Sequence, residues 1–146
     1  MQSEVPSLEE RLSFFQIGDA EHKRFPRIAA IIKRHAGAAL DRFYVRIRAN
    51  PTTARFFSSD QQIAGARSKQ LEHWTQLFGK RIDQSYLATA ERIGFTHARI
   101  GLEPRWYIGG YATVLGDIIP KIIGNLPASP VGMAAKGQTV TALVKA

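Results

Sequence analysis

Four histidines, four tyrosines and the complete absence of cysteine bound the chemistry open to this 146-residue chain. Without thiols there are no disulfides, thiolate metal sites or iron–sulfur clusters, so any metal must rest on histidine, carboxylate or tyrosine. The lack of cysteine also fits a reducing cytoplasm. Three of the histidines have ordinary explanations. His22 follows an Asp19 cap amid charged neighbours, which predicts an exposed ring. His35 follows Lys33-Arg34 near an expected helix end, where a cation complements the dipole. His73 is left open between an inward-facing and a structural or surface role. His97 is different: with Ile93 four residues before it and Ile100 three after, its imidazole projects from an apolar stripe. Gly94 and Gly101 lie about one turn to either side, and their missing side chains would let a flat partner or another backbone come close. On spacing alone, a hydrogen-bonded core histidine and a metal ligand both remain open for His97. A tyrosine such as Tyr44, read alone, is a core residue bonded to a backbone carbonyl.

The elements that would position these residues read as helices throughout. A short N-terminal helix is expected over Leu8–Phe15, with Gly18-Asp19 supplying a stop and a new cap. From Ala20 to about Arg48, the positions Phe25, Ile28, Ile32, Leu40, Phe43 and Ile47 follow helical spacing, and Gly37 predicts a corner dividing this stretch into two helices. Asn50-Pro51 reads as a cap followed by proline in the first turn, opening a short helix through Phe57. Ser59-Asp60-Gln61-Gln62 matches a capping box, with Gln62 reaching back to Ser59. The helix it opens should run to Phe78 and stop at Gly79. Asp83 caps a segment carrying Leu87, Ala90, Ile93, His97 and Ile100. Pro104 starts another helix, ended by Gly124-Asn125, and Ser129-Pro130 begins the last. Gly109, Gly110, Ala112, Thr113 and Gly116 suggest a small-residue face for close helix approach. Leu115, Ile118, Ile119, Ile122 and Ile123 supply a broad apolar surface. Seven or eight unequal helices with short connections suit a globin-like arrangement better than a symmetric bundle.

Composition is consistent with one globular domain: 45% of residues are hydrophobic and 22% charged. No apolar run approaches the roughly 18 residues of a membrane span, and the acidic N-terminus lacks the layout of a signal peptide. The net charge of +8 raises a nucleic-acid reading. The cations are scattered, however, among them Arg27, Arg34, Arg46, Arg67 and Lys80, without a basic run interleaved with aromatics. That scatter favours solvated helix faces over a polyanion footprint.

The segment from His97 to Tyr111, His-Ala-Arg-Ile-Gly-Leu-Glu-Pro-Arg-Trp-Tyr-Ile-Gly-Gly-Tyr, closely resembles the signature of globin-coupled sensors. That family contains haem-based aerotaxis transducers and globin-linked diguanylate cyclases. Leu40-Asp41-Arg42-Phe43-Tyr44 and Gln70-Leu71-Glu72-His73-Trp74 resemble its distal helices, and the likeness spans about residues 19–126 in order and spacing. It implies an all-α, globin-like sensor fold with an extra short N-terminal helix and no separate fourth helix. The chain is then a single domain, with 1–18 as extension and 19–146 as globin core.

The resemblance further implies haem b with His97 as proximal iron ligand and Tyr44 on the distal side, near Lys69 and Ala66. Phe43, Phe57, Gln70, His73, Leu87, Ile93, Ile100, Leu102, Trp106 and Tyr107 are expected around the haem. Lys69 and Ala66 depart from the family pattern. Lys69 could snorkel outward or lie near a propionate, and Ala66 opens space. A phenol at Tyr44 would donate to dioxygen, a bond worth on the order of 1–3 kcal/mol in a dry pocket, and carbon monoxide would gain less from it. The implied role is an oxygen sensor, with carbon monoxide and nitric oxide as further ligands and no catalysis in this domain. A homodimer through the last two helices is implied as well. The last residues still read as helix, which predicts a covalently attached C-terminal output module such as a chemotaxis transducer or diguanylate cyclase. A stand-alone gas-binding or detoxifying globin is the alternative, followed by a basic helical nucleic-acid binder.

Overall fold

The computed structural model describes residues 6–125 and 130–145. Among the described residues the chain forms eight helices and no strand: α1 (Leu8–Phe14), α2 (Asp19–His22), α3 (Phe25–Ala49), α4 (Pro51–Ala54), α5 (Asp60–Leu77), α6 (Gln84–Arg99), α7 (Pro104–Gly124) and α8 (Pro130–Lys145). The boundaries follow local chemistry. Ser7 and Glu10 form a reciprocal capping box at α1. The Asn50 side chain accepts from the Thr52 amide at 2.9 Å, and Pro51 occupies the first helical position. Ser59 Oγ accepts from the Gln62 amide at 3.2 Å, whereas Gln62 reaches back to the amide of Ser58 and not to that of Ser59. Asp83 caps α6 by accepting from the Tyr86 amide at 3.0 Å, and Lys80, Ser85 and that amide together hold its carboxyl well below the usual range. The expected cap at Ser129 lies outside the described residues.

The predicted corner at Gly37 does not exist. Helix α3 runs unbroken for 25 residues, and the chain turns earlier, at Lys23-Arg24 before Phe25-Pro26. A glycine in a helix costs only about 1 kcal/mol, and burial of Phe25, Ile28, Ile32, Ala36 and Leu40 on either side of Gly37 outweighs that. The helix α5 side chain Arg67 reaches the Gly37 position, donating to its carbonyl at 3.1 Å and pairing with Asp41 at 2.5 Å. His35 therefore sits mid-helix instead of at a terminus, with Nε2 buried and unpaired among the described residues. His22, expected at the surface, is 8% exposed. Its Nε2 accepts from the Ile82 amide at 3.2 Å, and its ring meets Phe25 edge-on at 4.9 Å. Because α2 is one turn long, its apolar wall is supplied by the neighbouring loop and α3, which charge in the local sequence did not reveal.

Helix α3 is the axis of the core, crossed by α5 and α7. Val114, Ile118 and Ile122 of α7 are fully buried, joined by Ile63, Trp74 and Leu77 of α5 and Ala142 and Leu143 of α8. The small-residue face of α7 reduces to one close approach. A methyl at Gly110 would stand 3.1 Å from the Phe43 ring, while Gly109 and Gly116 have open space around them. Helix α4 leads into α5 through residues 55–59, without an intervening helix. Helix α6 is the exception to core packing. Among its 16 residues only Leu87 is buried, so its apolar stripe is not spent on other helices.

Candidate functional site

A cavity of about 1030 Å³ lies where α6 would otherwise have packed, lined by side chains of α3, α4, α5, α6 and α7 and the loops that follow them. That volume is at the upper end for cofactor and small-molecule sites, which run roughly 300–1,000 Å³. Its lining is largely apolar and partly open to solvent, so a flat apolar guest would bury surface that the helices leave uncovered.

Helix α6 contributes Thr89, Arg92, Ile93, Thr96 and His97, and Ile100 and Leu102 follow it. His97 is half-buried and stacks on Tyr107 of α7, ring centroids 5.3 Å apart at 19°. Among the described residues its ring has no hydrogen-bond partner, and burial pulls its pKa below the ordinary histidine value, favouring neutral imidazole. Its backbone is fixed by the end of the helix. The Leu102 amide donates to the His97 carbonyl at 2.9 Å and the Gly101 amide to that of Ala98 at 3.1 Å, with Gly101 at φ +71°. This paired closure is a Schellman motif, and it needs a left-handed residue at Gly101. Gly101 is needed for backbone handedness, and no protein atom lies within 4 Å of a methyl placed there or at Gly94. The two glycines should consequently respond with opposite signs. Gly101→Ala is expected to destabilise the protein by about 1 kcal/mol, and Gly94→Ala, in an open helix interior, to stabilise it by roughly 0.5–1 kcal/mol. Thermal melts of the two variants check this; equal shifts would contradict it.

From α3 come Phe43, Tyr44 and Ile47. Tyr44 is buried between Phe43 and Phe57, at centroid distances of 5.1 and 6.2 Å. Burial pushes its pKa up to about 12, so it is a neutral proton donor across the physiological range. Its hydroxyl donates to Gln70 Oε1 of α5 at 3.0 Å, not to a backbone carbonyl. Helix α5 further supplies Gly65, Ala66, Lys69, Glu72, His73 and Gln76. Lys69 is exposed and stands at the rim, with Ala66 partly buried behind it. His73 faces the cavity and stacks on Tyr86 at 5.7 Å and 20°. It also lines a smaller cavity of about 450 Å³ with Gln76 and Thr89. Trp106, Tyr107, Gly110 and Tyr111 of α7 complete the wall, Tyr111 lying against buried Trp74 at 5.8 Å.

Of the residues expected around this site, the structure gathers Phe43, Tyr44, Phe57, Ala66, Lys69, Gln70, His73, Ile93, His97, Ile100, Leu102, Trp106 and Tyr107 at one cavity. Leu87 is the exception: it is buried but does not line the cavity. At 3.6 residues per turn it points roughly 150° away from the face formed by Thr89, Ile93, Thr96 and Ile100. The stripe drawn through Leu87, Ala90 and His97 drifts around the helix. Reasoning from the sequence missed Thr89, Arg92 and Thr96, which helical spacing from His97 and Ile93 could have found. It also missed Tyr111, four residues beyond Tyr107, and Phe56, beside Phe57.

A sequence profile of the Protoglobin family matches residues 5–146. Among solved structures, the fold is similar to the globin domain of the Geobacter sulfurreducens globin-coupled sensor, with TM-score 0.85 and 20% identity over 97% of this chain and 90% of that one. It is also similar to the globin domain of E. coli DosC, ferric form I, with TM-score 0.74 and 19% identity over 94% of this chain and 90% of that one. The all-α, globin-like sensor fold expected from the sequence is thus the observed one, and a globin family implies haem. A helical core organised on α3, a cofactor-sized gap against α6 and a match over nearly the whole chain agree that this chain belongs to the Protoglobin family.

Proposed function

We propose that this chain is the sensor globin of a signalling protein, holding haem b against α6 with His97 as the iron ligand and reporting the binding of dioxygen. The observation that carries the reading is a half-buried imidazole, without a hydrogen-bond partner among the described residues, on the wall of an apolar cavity of about 1030 Å³. When bound, haem supplies an open coordination position for a diatomic gas. The protein's own residues do the rest. Tyr107 holds the imidazole plane by stacking, and the Schellman closure fixes the backbone that carries it. Ile93, Ile100, Leu102 and Phe57 exclude water. Tyr44 offers one neutral O–H to the gas, which favours dioxygen over carbon monoxide because dioxygen accepts more charge. Lys69 and Arg92 at the lining are the cations available to propionates.

An apolar seam on the outside supports a homodimer. Ile108, Leu115, Ile119 and Ile123 share one face of α7, with Ile108 and Ile123 61% and 47% exposed, and Met133, Val140 and Val144 share one of α8. Such a seam matches self-association better than solvent. Tyr107, stacked on His97, is adjacent to Ile108 of the seam, giving a short mechanical route from the pocket to the dimer face and on to a C-terminal output module. Gas binding moves this route only to the extent that it favours one arrangement over the other. No helix among the described residues is long and apolar enough to cross a membrane, and a cytoplasmic location is part of the proposal.

The test is a titration of the purified protein with haemin, followed by reduction and exposure to dioxygen and carbon monoxide. One equivalent of haem taken up, with a strong absorption band and reversible gas difference spectra, is the expected result. A protein that stays colourless defeats the proposal. Sedimentation of the loaded protein as a monomer at micromolar concentration would defeat the dimer.

A further inference from the structure

Tyr44 has one proton to give, and in this structure it is already engaged. The hydroxyl donates to Gln70 Oε1 at 3.0 Å, inside a pocket where the phenol is 8% exposed and fixed by Phe43 and Phe57. The partner is held in place as well. Three residues before Gln70, Arg67 ties α5 to α3 through Asp41 at 2.5 Å and the Gly37 carbonyl at 3.1 Å. With α5 held against α3 by the burial of Ile63, Trp74 and Leu77 and by this tie, the partly buried Gln70 side chain reaches Tyr44.

We propose that Gln70 is an affinity-setting residue that competes with the incoming gas for the Tyr44 proton. The inference rests on the haem-globin reading above and goes beyond it. A tyrosine with no other partner gains a full hydrogen bond when dioxygen arrives in the pocket. Here the same step first breaks the bond to Gln70, so the net gain is the difference between two acceptors. Carbon monoxide, a poor acceptor, does not draw the proton away, and Tyr44 keeps its bond to Gln70. Gln70 thus lowers dioxygen affinity while leaving carbon monoxide nearly untouched, which places the sensor's working range above that of an unopposed tyrosine. Gln70 acts through Tyr44, as a positioning residue.

Gln70→Leu removes the competing acceptor, and Gln70→Met does so with an unbranched chain of similar length should leucine perturb folding. In the haem-loaded protein, dioxygen dissociation is expected to slow roughly two- to tenfold, the factor corresponding to one neutral hydrogen bond. Carbon monoxide dissociation should stay within twofold. In a Tyr44→Phe background the same substitution should have no effect on either gas. A second readout needs no haem. Ultraviolet resonance Raman difference spectra (unaltered chain minus Tyr44→Phe, with and without Gln70→Leu) should show the Tyr44 phenol losing its donor interaction when Gln70 is replaced. Faster or unchanged dioxygen release, an effect that persists without the Tyr44 hydroxyl, or an unchanged Raman difference would overturn the inference. If the unaltered chain takes up no haem, the haem reading fails and this inference with it. Uptake of haem with dioxygen release indifferent to Gln70 defeats this inference alone.

Discussion

Replacing His97 with alanine is expected to abolish stable haem uptake while leaving the helical fold standing. The ring is half-buried, contacts mainly Tyr107 and donates no hydrogen bond to the described core. Its loss should therefore cost on the order of 1 kcal/mol in packing, well short of the 5–15 kcal/mol typical of a domain's stability. The loss to the cofactor is of another order, because no other histidine stands on the α6 side of the cavity. His22 and His35 do not line the cavity, and His73 lines it from α5, where it is stacked on Tyr86. The checking measurement is haemin titration of the variant beside its circular dichroism. Added imidazole should restore part of the uptake by filling the vacated space beside Tyr107. Tight haem retention with an unchanged spectrum would show that the ligand is elsewhere.

Tyr44→Phe is the second large effect, and it should separate the gases. The hydroxyl is neutral at every pH near 7, its pKa lying at about 12 through burial. Gas affinity should therefore not titrate with this group between pH 6 and 9. Removing it deletes the donor without opening a cavity, because the rings of tyrosine and phenylalanine occupy the same space. Dioxygen dissociation should accelerate by roughly tenfold to a hundredfold, the equivalent of about 1–3 kcal/mol, and carbon monoxide dissociation by less than threefold. Stopped-flow release of each gas from the ferrous protein measures both. Equal acceleration would mean that the phenol makes no selective bond.

The identities behind these predictions came from different levels of the molecule. Helix ends were legible because their hydrogen bonds join residues two to four apart. Asn50, Ser59 and Asp83 cap helices where their side chains predict, and Pro51 and Pro104 open the first turn. The Gly37 corner failed because a glycine's local preference is worth little beside the burial of a long helix. His22 failed because a one-turn helix takes its environment from chain segments far away in sequence, here Ile82. At the pocket, the motif from His97 to Tyr111 pointed to residues that the structure brings to one cavity, but helical phase decided which of them face inward. Leu87 was lost and Thr89, Thr96 and Tyr111 were gained on that ground.

What the sequence by itself determined is local and chemical: an all-helical chain, thiol-free, with a histidine on an apolar helix stripe and a Phe-Tyr pair upstream of a recognisable family motif. What only the tertiary structure decided is relational. The rotation of α6 sets its apolar face on a gap instead of on another helix, and the burial of Ile63, Trp74 and Leu77 with the Arg67 ties lays α5 on α3 so that Gln70 meets the Tyr44 hydroxyl. A hydrogen bond between residues 26 apart in the chain depends on the packing of two helices, and no local spacing encodes that.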